Sequence, residues 1–169
     1  MAAACTALKE KKAQLGEGGL RRHNLVFLEA TGDAEPGKES EQYASSAFGA
    51  VFVEVRVDAD LGEVKVSRLT AAYAAGRILN PLLARSQFVG GWIWGIGMAL
   101  HEAVAMDPQL GRVVGTSLAD YLIPVHADMP AFDIHMIEED EPLLGSGGVK
   151  GIGMLGTVGT QAAIADALF

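Results

Sequence analysis

Ala50-Val51-Phe52-Val53-Glu54-Val55-Arg56-Val57-Asp58, followed after Ala59-Asp60-Leu61-Gly62 by Glu63-Val64-Lys65-Val66-Ser67-Arg68-Leu69, is the pair of segments that decides the fold. Both put β-branched residues at alternate positions, which predicts strands with one buried face. The short polar connection between them predicts an antiparallel hairpin. That apolar face needs a cover, and the sequence beyond it supplies one. Asn80-Pro81 has the form of a helix N-cap followed by proline at the first helical position, so a helix is predicted from Pro81 to about Val104. Thr157 to Gln161 leads into Ala162-Ala163-Ile164-Ala165, a second helix. Asp107-Pro108-Gln109-Leu110-Gly111 is a turn, and Arg112 to Thr116 and Phe132 to Ile137 read as further strands. The predicted class is α+β: a mixed sheet built from the hairpin and later strands, with the two helices packed on it.

Upstream of the hairpin, Ala2 to Leu15 is rich in good helix formers and Gly16-Glu17-Gly18-Gly19 ends it. An amphipathic helix is expected there rather than a signal peptide, because the lysines follow the apolar stretch instead of preceding it. Residues 1–31 are taken as a helical segment and lead-in, 32–46 as a polar connector containing Pro36-Gly37, and 47–169 as the main domain. With 169 residues, half of them hydrophobic, the chain is long enough for one real core. Its net charge of −8 makes nucleic acid an unfavourable partner, since phosphate binding needs concentrated Lys and Arg. The lone Cys5 cannot form an internal disulfide. The longest apolar run, Phe88 to Leu100, has 13 residues and four glycines, short of the roughly 20 that a spanning helix needs. A cytoplasmic location is expected.

Glycine is concentrated in two places. The first is Gly145-Ser146-Gly147-Gly148-Val149-Lys150-Gly151-Ile152-Gly153-Met154-Leu155-Gly156. A loop this rich in glycine either contacts a ligand or makes a structural turn. It feeds a helix, whose free N–H groups favour an anion such as phosphate. Gly151 to Gly156 spells G-x-G-x-x-G, but the βαβ unit and the acidic residue about 20 positions onward that the dinucleotide fingerprint requires are absent. Lys150 is not followed by Ser or Thr, so this is not a P-loop either. The second concentration is Gly90, Gly91, Gly95 and Gly97, which bares one strip of the Pro81 helix. A neighbouring strand or helix, or a bound cofactor, must approach that strip closely. Trp92 and Trp94 are expected to pack.

Glu138-Glu139-Asp140-Glu141 reads as a solvated strand end, with acid/base chemistry or binding of a hard cation as the alternative. His23, His101, His126 and His135 show no zinc-ligand spacing, and no G-x-S-x-G elbow occurs.

The order Ala47-Phe48-Gly49-Ala50, Glu54-Val55-Arg56-Val57-Asp58, Gly62-Glu63-Val64, Gly76-Arg77-Ile78-Leu79-Asn80-Pro81, Ala84-Arg85-Ser86-Gln87, Gly90-Gly91, Gly95-Ile96-Gly97-Met98-Ala99-Leu100, Ala119-Asp120-Tyr121-Leu122-Ile123-Pro124 and Lys150-Gly151-Ile152-Gly153 resembles the C-terminal portion of the molybdopterin-binding large subunit of the xanthine dehydrogenase and aldehyde oxidase family. The resemblance covers about Gln42 to Phe169. It implies a fold of the second molybdenum-cofactor-binding domain type, and a hydroxylase that adds oxygen from water to aldehydes or to N-heterocycles such as purines. The implied cofactor is molybdopterin with molybdenum, possible also as the cytosine dinucleotide, with Fe–S and FAD in partner subunits. By the same resemblance Gln87, Lys150, Gly151 and Gly153 contact the cofactor, and the residue after Gly153 is a glutamate that acts as the base.

This chain departs from that pattern at Met154, which has no titratable group and cannot serve as a base. It is also several times shorter than the family's subunits. The expectations are therefore that Met1 opens a fragment, that the N-terminal portion of the molybdenum subunit is a partner, and that the chain offers one wall of the site. It would be inactive alone and prone to assemble as an oligomer through apolar surface left uncovered. The alternative is a non-catalytic assembly module that lost its base. On either view, the late glycine run and the stripe after Pro81 are expected to form one bare surface against a pterin pyrophosphate.

Overall fold

The computed structural model describes residues 2–16, 26–32, 42–144 and 147–169. Glu17, Gly18, Gly19, His23, most of the predicted connector, and Gly145 and Ser146 lie outside the described residues. The chain divides into two compact units, Met1–Ala44 with Pro142–Gly147, and Ser45–Glu141 with Gly148–Phe169.

The first unit contains helix α1, Ala2–Leu15, as its composition predicts. Its apolar face is thin: Ala3, Ala4, Ala7 and Leu15 are half-buried, and Cys5 is exposed. Lys11 Nζ donates to the Glu29 carbonyl at 2.8 Å, tying the segment 26–32 to the helix.

The second unit is built on the hairpin. Strands β1, Phe48–Asp58, and β2, Glu63–Ala74, pair antiparallel. Asp58 Oδ1 closes the turn by accepting the N–H groups of Asp60 and Leu61. β2 runs five residues past the predicted end at Leu69, held there by strands on both sides, and its alternation changes phase before that point. The register passes from Glu54↔Arg68 to Val55↔Val66, leaving Ser67 as an extra residue in β2. Such a bulge moves the buried set to the other parity. Val66 is buried before it, and Leu69, Ala71 and Tyr73 are buried after it. Ser67 Oγ donates to the Glu54 carboxylate, which holds that carboxyl below its ordinary range.

Strand β5, Ala131–Ile137, lies parallel to β2 on the other side, so the sheet is mixed, in the order β1-β2-β5. The crossover is helix α2, Pro81–Leu100. Asn80 Oδ1 caps it by accepting the Leu83 N–H at 3.1 Å, as predicted. Ala84, Phe88, Trp92 and Ile96, each four apart, form its buried edge. Phe88 stacks on Tyr73 at 4.3 Å between ring centroids, Trp92 meets Phe132, and Trp92 Nε1 donates to the Tyr73 hydroxyl at 2.6 Å. Burial raises the Tyr73 phenol above its ordinary value, opposed by the Trp92 N–H.

Three expectations need correction here. α2 stops at Leu100 rather than Val104, because the N–H groups of His101 and Glu102 both turn back to the Gly97 carbonyl. The chain then enters a separate hairpin of β3, Ala105–Asp107, and β4, Arg112–Val114, so β4 does not join the main sheet. Trp94 does not pack, being 53% exposed.

Helix α3, Leu155–Leu168, lies along α2 and over β1. Ile164 and Thr160 are buried there, and Thr160 Oγ1 donates to the Gly156 carbonyl. The glycine strip of α2 is what α3 fits into. A Cβ on Gly91 would sit 3.0 Å from the Thr157 nitrogen, and one on Gly95 would sit 2.7 Å from Thr160 Cβ. The stripe is therefore a helix–helix contact, and the expected cofactor surface at this strip is overturned: the chain's own backbone fills it. Among the described residues no helix is long and apolar enough to cross a membrane.

Candidate functional site

The loop between β5 and α3 carries four of the five predicted site residues, and its course is set by a backbone clasp. Gly76 and Val149 form an isolated bridge: the Arg77 N–H donates to the Gly148 carbonyl at 2.7 Å, and the Lys150 N–H donates to the Ala75 carbonyl at 3.2 Å. Gly76 has φ +66°, and a Cβ there would collide with the Gly148 carbonyl oxygen, so both the angle and the approach require glycine.

Beyond the clasp the Lys150 side chain turns inward and is only 5% exposed. Its ammonium lies 3.0 Å from a Glu139 carboxylate oxygen, pairs also with Glu141, and sits 5.3 Å from the centroid of the Phe48 ring. Glu139 accepts the Gly76 N–H as well, at 3.1 Å. Hydrogen bonds from Lys150 and then from Gly76 hold the Glu139 carboxyl below its ordinary range, while Glu141 and then Glu139 raise the Lys150 ammonium. The acidic run is thus not a solvated strand end. Glu139 and Glu141 are counter-ions of a nearly buried lysine, and Glu138 and Asp140 are exposed. Among the described residues no three His, Cys, Asp or Glu side chains gather as a metal site.

Gln87, on the exposed first turns of α2, reaches across to the same loop. Its Nε2 donates to the Gly153 carbonyl at 2.8 Å, spanning 66 residues of sequence. Between the anchors at Lys150 and Gly153 the backbone is bare: nothing lies within 4 Å of a Cβ built on Gly151 or Gly153. Among the described residues the N–H groups of Gly151, Ile152, Gly153 and Met154 have no acceptor. By contrast, the helix N-terminus that follows is turned on itself, with the Leu155 and Thr157 N–H groups on the carbonyls of Ile152 and Met154. A cavity of about 340 Å³ opens here, lined among others by Arg77, Asn80, Leu83, Gln87, Lys150 and Gly153. Met154 ends the loop, 58% exposed and without a side-chain cap on α3.

The structure therefore brings Gln87, Lys150 and Gly153 to one cavity, with Gly151 and Met154 on the same loop. It does not bring Gly91 or Gly95 there. Sequence reasoning missed Glu139 and Glu141. They lie just beyond the end of β5, and Lys150 stands 11 positions from Glu139, so the local pattern carried no mark of the pairing.

The family model described as the molybdopterin cofactor-binding domain matches residues 3–130. The chain belongs to the molybdopterin cofactor-binding domain family. That match reaches back well before Gln42, where the sequence resemblance begins, so α1 is covered by it too. It ends before the glycine loop. The chain is 44% identical over 142 residues to the aldehyde oxidoreductase molybdenum-binding subunit PaoC of Escherichia coli (strain K12), an alignment covering 84% of this chain and 19% of that protein. It is 33% identical to the 6-hydroxypseudooxynicotine dehydrogenase complex subunit gamma of Paenarthrobacter nicotinovorans, over 84% of this chain and 18% of that one. Among solved structures, quinoline 2-oxidoreductase from Pseudomonas putida 86 superposes with a TM-score of 0.65 at 34% identity, covering 69% of this chain and 14% of that one. This molybdopterin-family chain thus spans less than a fifth of the length of each of these relatives.

The residues at the cavity fit one edge of an oxygen-rich, anionic cofactor of this kind. Among the described residues, Ile152 and Gly153 line the cavity with main-chain N–H groups that make no hydrogen bond within the chain, the Gln87 amide adds a donor, Gly153 has no Cβ to block close approach, and none of the lining residues is acidic.

Proposed function

We propose that this chain forms one wall of the molybdopterin site of a molybdenum hydroxylase, the remaining walls coming from a longer N-terminal portion of the subunit. The observation that carries the reading is the Gln87 to Gly153 hydrogen bond beside a loop of unanswered N–H groups, in a chain of the molybdopterin-binding family. When bound, the cofactor supplies the oxygen-transfer and electron-accepting chemistry, whether as molybdopterin or as its cytosine dinucleotide, with electrons leaving through Fe–S and FAD partner subunits. Gln87 fixes the loop carbonyl and leaves its own Oε1 as an acceptor. Gly151 and Gly153 let the main chain lie close to the ligand, and Leu79, Leu82 and Leu83, each at least 68% exposed, form an apolar rim that the missing portion would cover. The substrate class is an aldehyde or an electron-poor N-heterocycle.

Met154 stands where the resemblance places the base. Its thioether cannot hold or release a proton, so the chain is silent in catalysis as it stands. That same residue favours a second reading, a non-catalytic assembly module that keeps the fold.

Co-expression with the N-terminal portion of a related subunit separates the two. The first reading expects molybdenum in the purified complex by elemental analysis, and Met154→Glu, at an exposed position with room for a carboxylate, then raises aldehyde or purine turnover by about 10²–10⁴-fold. Absence of molybdenum and no gain from Met154→Glu would favour the assembly module.

A further inference from the structure

The cofactor loop is made of residues that cannot hold a conformation by themselves, since Gly147, Gly148, Gly151 and Gly153 surround Lys150. Something outside the loop must fix it. The backbone clasp at Gly76 and Val149 holds its start, and two side-chain anchors hold the rest, Gln87 on the Gly153 carbonyl and the ammonium of Lys150 between Glu139 and Glu141. The second anchor is the more enclosed, with its side chain 5% exposed. One Glu139 oxygen accepts both the Lys150 ammonium and the Gly76 N–H, so it grips the two sides of the Gly76↔Val149 clasp together.

We propose that Lys150 is the positioning residue of this loop: with its ammonium clamped by the two carboxylates beyond β5, it sets the course of the backbone from Gly151 to Met154, and so the place of Ile152 and Gly153 in the cavity wall. This rests on the reading of the cavity as a molybdopterin wall. It assigns a purpose to the acidic run, which supplies the clamp rather than a metal site or a catalytic pair. An ion pair this enclosed does little for net stability compared with an apolar substitute of the same size, but it fixes one geometry, which is what a glycine loop lacks.

The test uses the full chain and single-amide hydrogen exchange. Lys150→Met should speed exchange at the clasp amides of Gly76, Arg77 and Lys150 about tenfold or more while leaving Leu69 and Ala71 of β2 unchanged. Lys150→Arg should keep exchange near wild type. Because Lys150→Met leaves two carboxylates unanswered, the neutral triple variant Lys150→Met, Glu139→Gln, Glu141→Gln is measured beside it and should loosen the same amides. Unchanged clasp amides in both variants would overturn the proposal, as would parallel loosening of Leu69 and Ala71, which would make the clamp a general fold contact. Molybdenum content of the co-expressed complex should fall with clasp loosening; full retention by Lys150→Met would also overturn it. A wild-type complex that takes up no molybdenum sinks the cofactor reading instead, and the exchange data still decide the role of Lys150.

Discussion

Adding one methyl group to each of three neighbouring glycines of α2 tells a helix contact from an open strip. Gly90, Gly91 and Gly95 lie on one helix, and each gains roughly 1 kcal/mol of helix propensity on change to alanine. What differs is the surroundings. At Gly90 nothing lies within 4 Å of the new Cβ. At Gly91 the methyl lies 3.0 Å from the Thr157 nitrogen and 3.1 Å from Gly156 backbone atoms, which cannot rotate away. At Gly95 it lies 2.7 Å from Cβ of Thr160, a fully buried β-branched residue held by its hydroxyl on Gly156. Forcing a methyl into packed surroundings costs about 1–3 kcal/mol. The propensity gain is common to all three, so the difference between Gly90→Ala and either of the others isolates that cost. Gly90→Ala should stabilise by about 1 kcal/mol, and Gly95→Ala should stand about 1–3 kcal/mol below it, read from urea midpoints at constant slope. Equal stabilisation by Gly90→Ala, Gly91→Ala and Gly95→Ala would refute the packing of α3 into this strip and reopen it as a ligand surface.

Two other changes probe the core and the clamp. Tyr73→Phe removes the acceptor of the buried Trp92 N–H while keeping the ring stack on Phe88, and should cost about 1–3 kcal/mol in urea unfolding; a loss within the roughly 0.5 kcal/mol scatter of surface changes would show that the pair is not closed off from water. For the clamp, the Glu139 carboxyl lies below its ordinary 4.5 in the folded chain, so its contribution is present above that value and fades as the pH falls through the folded pKa. Lys150, raised above 10.5, contributes below that value and loses its part only as the pH rises past it. Glu139→Gln should therefore lower stability at neutral pH and flatten its acid decline; parallel profiles of variant and wild type from about pH 6 to about pH 3 would contradict the assignment.

Local patterning made most of the second unit legible. Alternation predicted the hairpin, and Asn80-Pro81 predicted the start of α2, because those signals act within a few residues. The extension of β2 to Ala74 was hidden by composition, because Ala71, Ala72 and Ala74 carry little strand propensity and pair only through the neighbouring strands. The candidate site's residues could be named from the sequence, but the contacts that hold them could not. Gln87 and Gly153 stand 66 positions apart, and only the fold shows that one holds the other. The glycines were harder still. A residue without a side chain announces that something comes close, and says nothing of what does. The strip at Gly91 and Gly95 and the loop at Gly151 and Gly153 read alike in sequence, yet the first is filled by α3 and the second has nothing within 4 Å. That difference separates the two surfaces: the strip is closed by the chain's own backbone, whereas the N–H groups of Gly151 to Met154 make no hydrogen bond among the described residues and stay open to solvent or to another molecule.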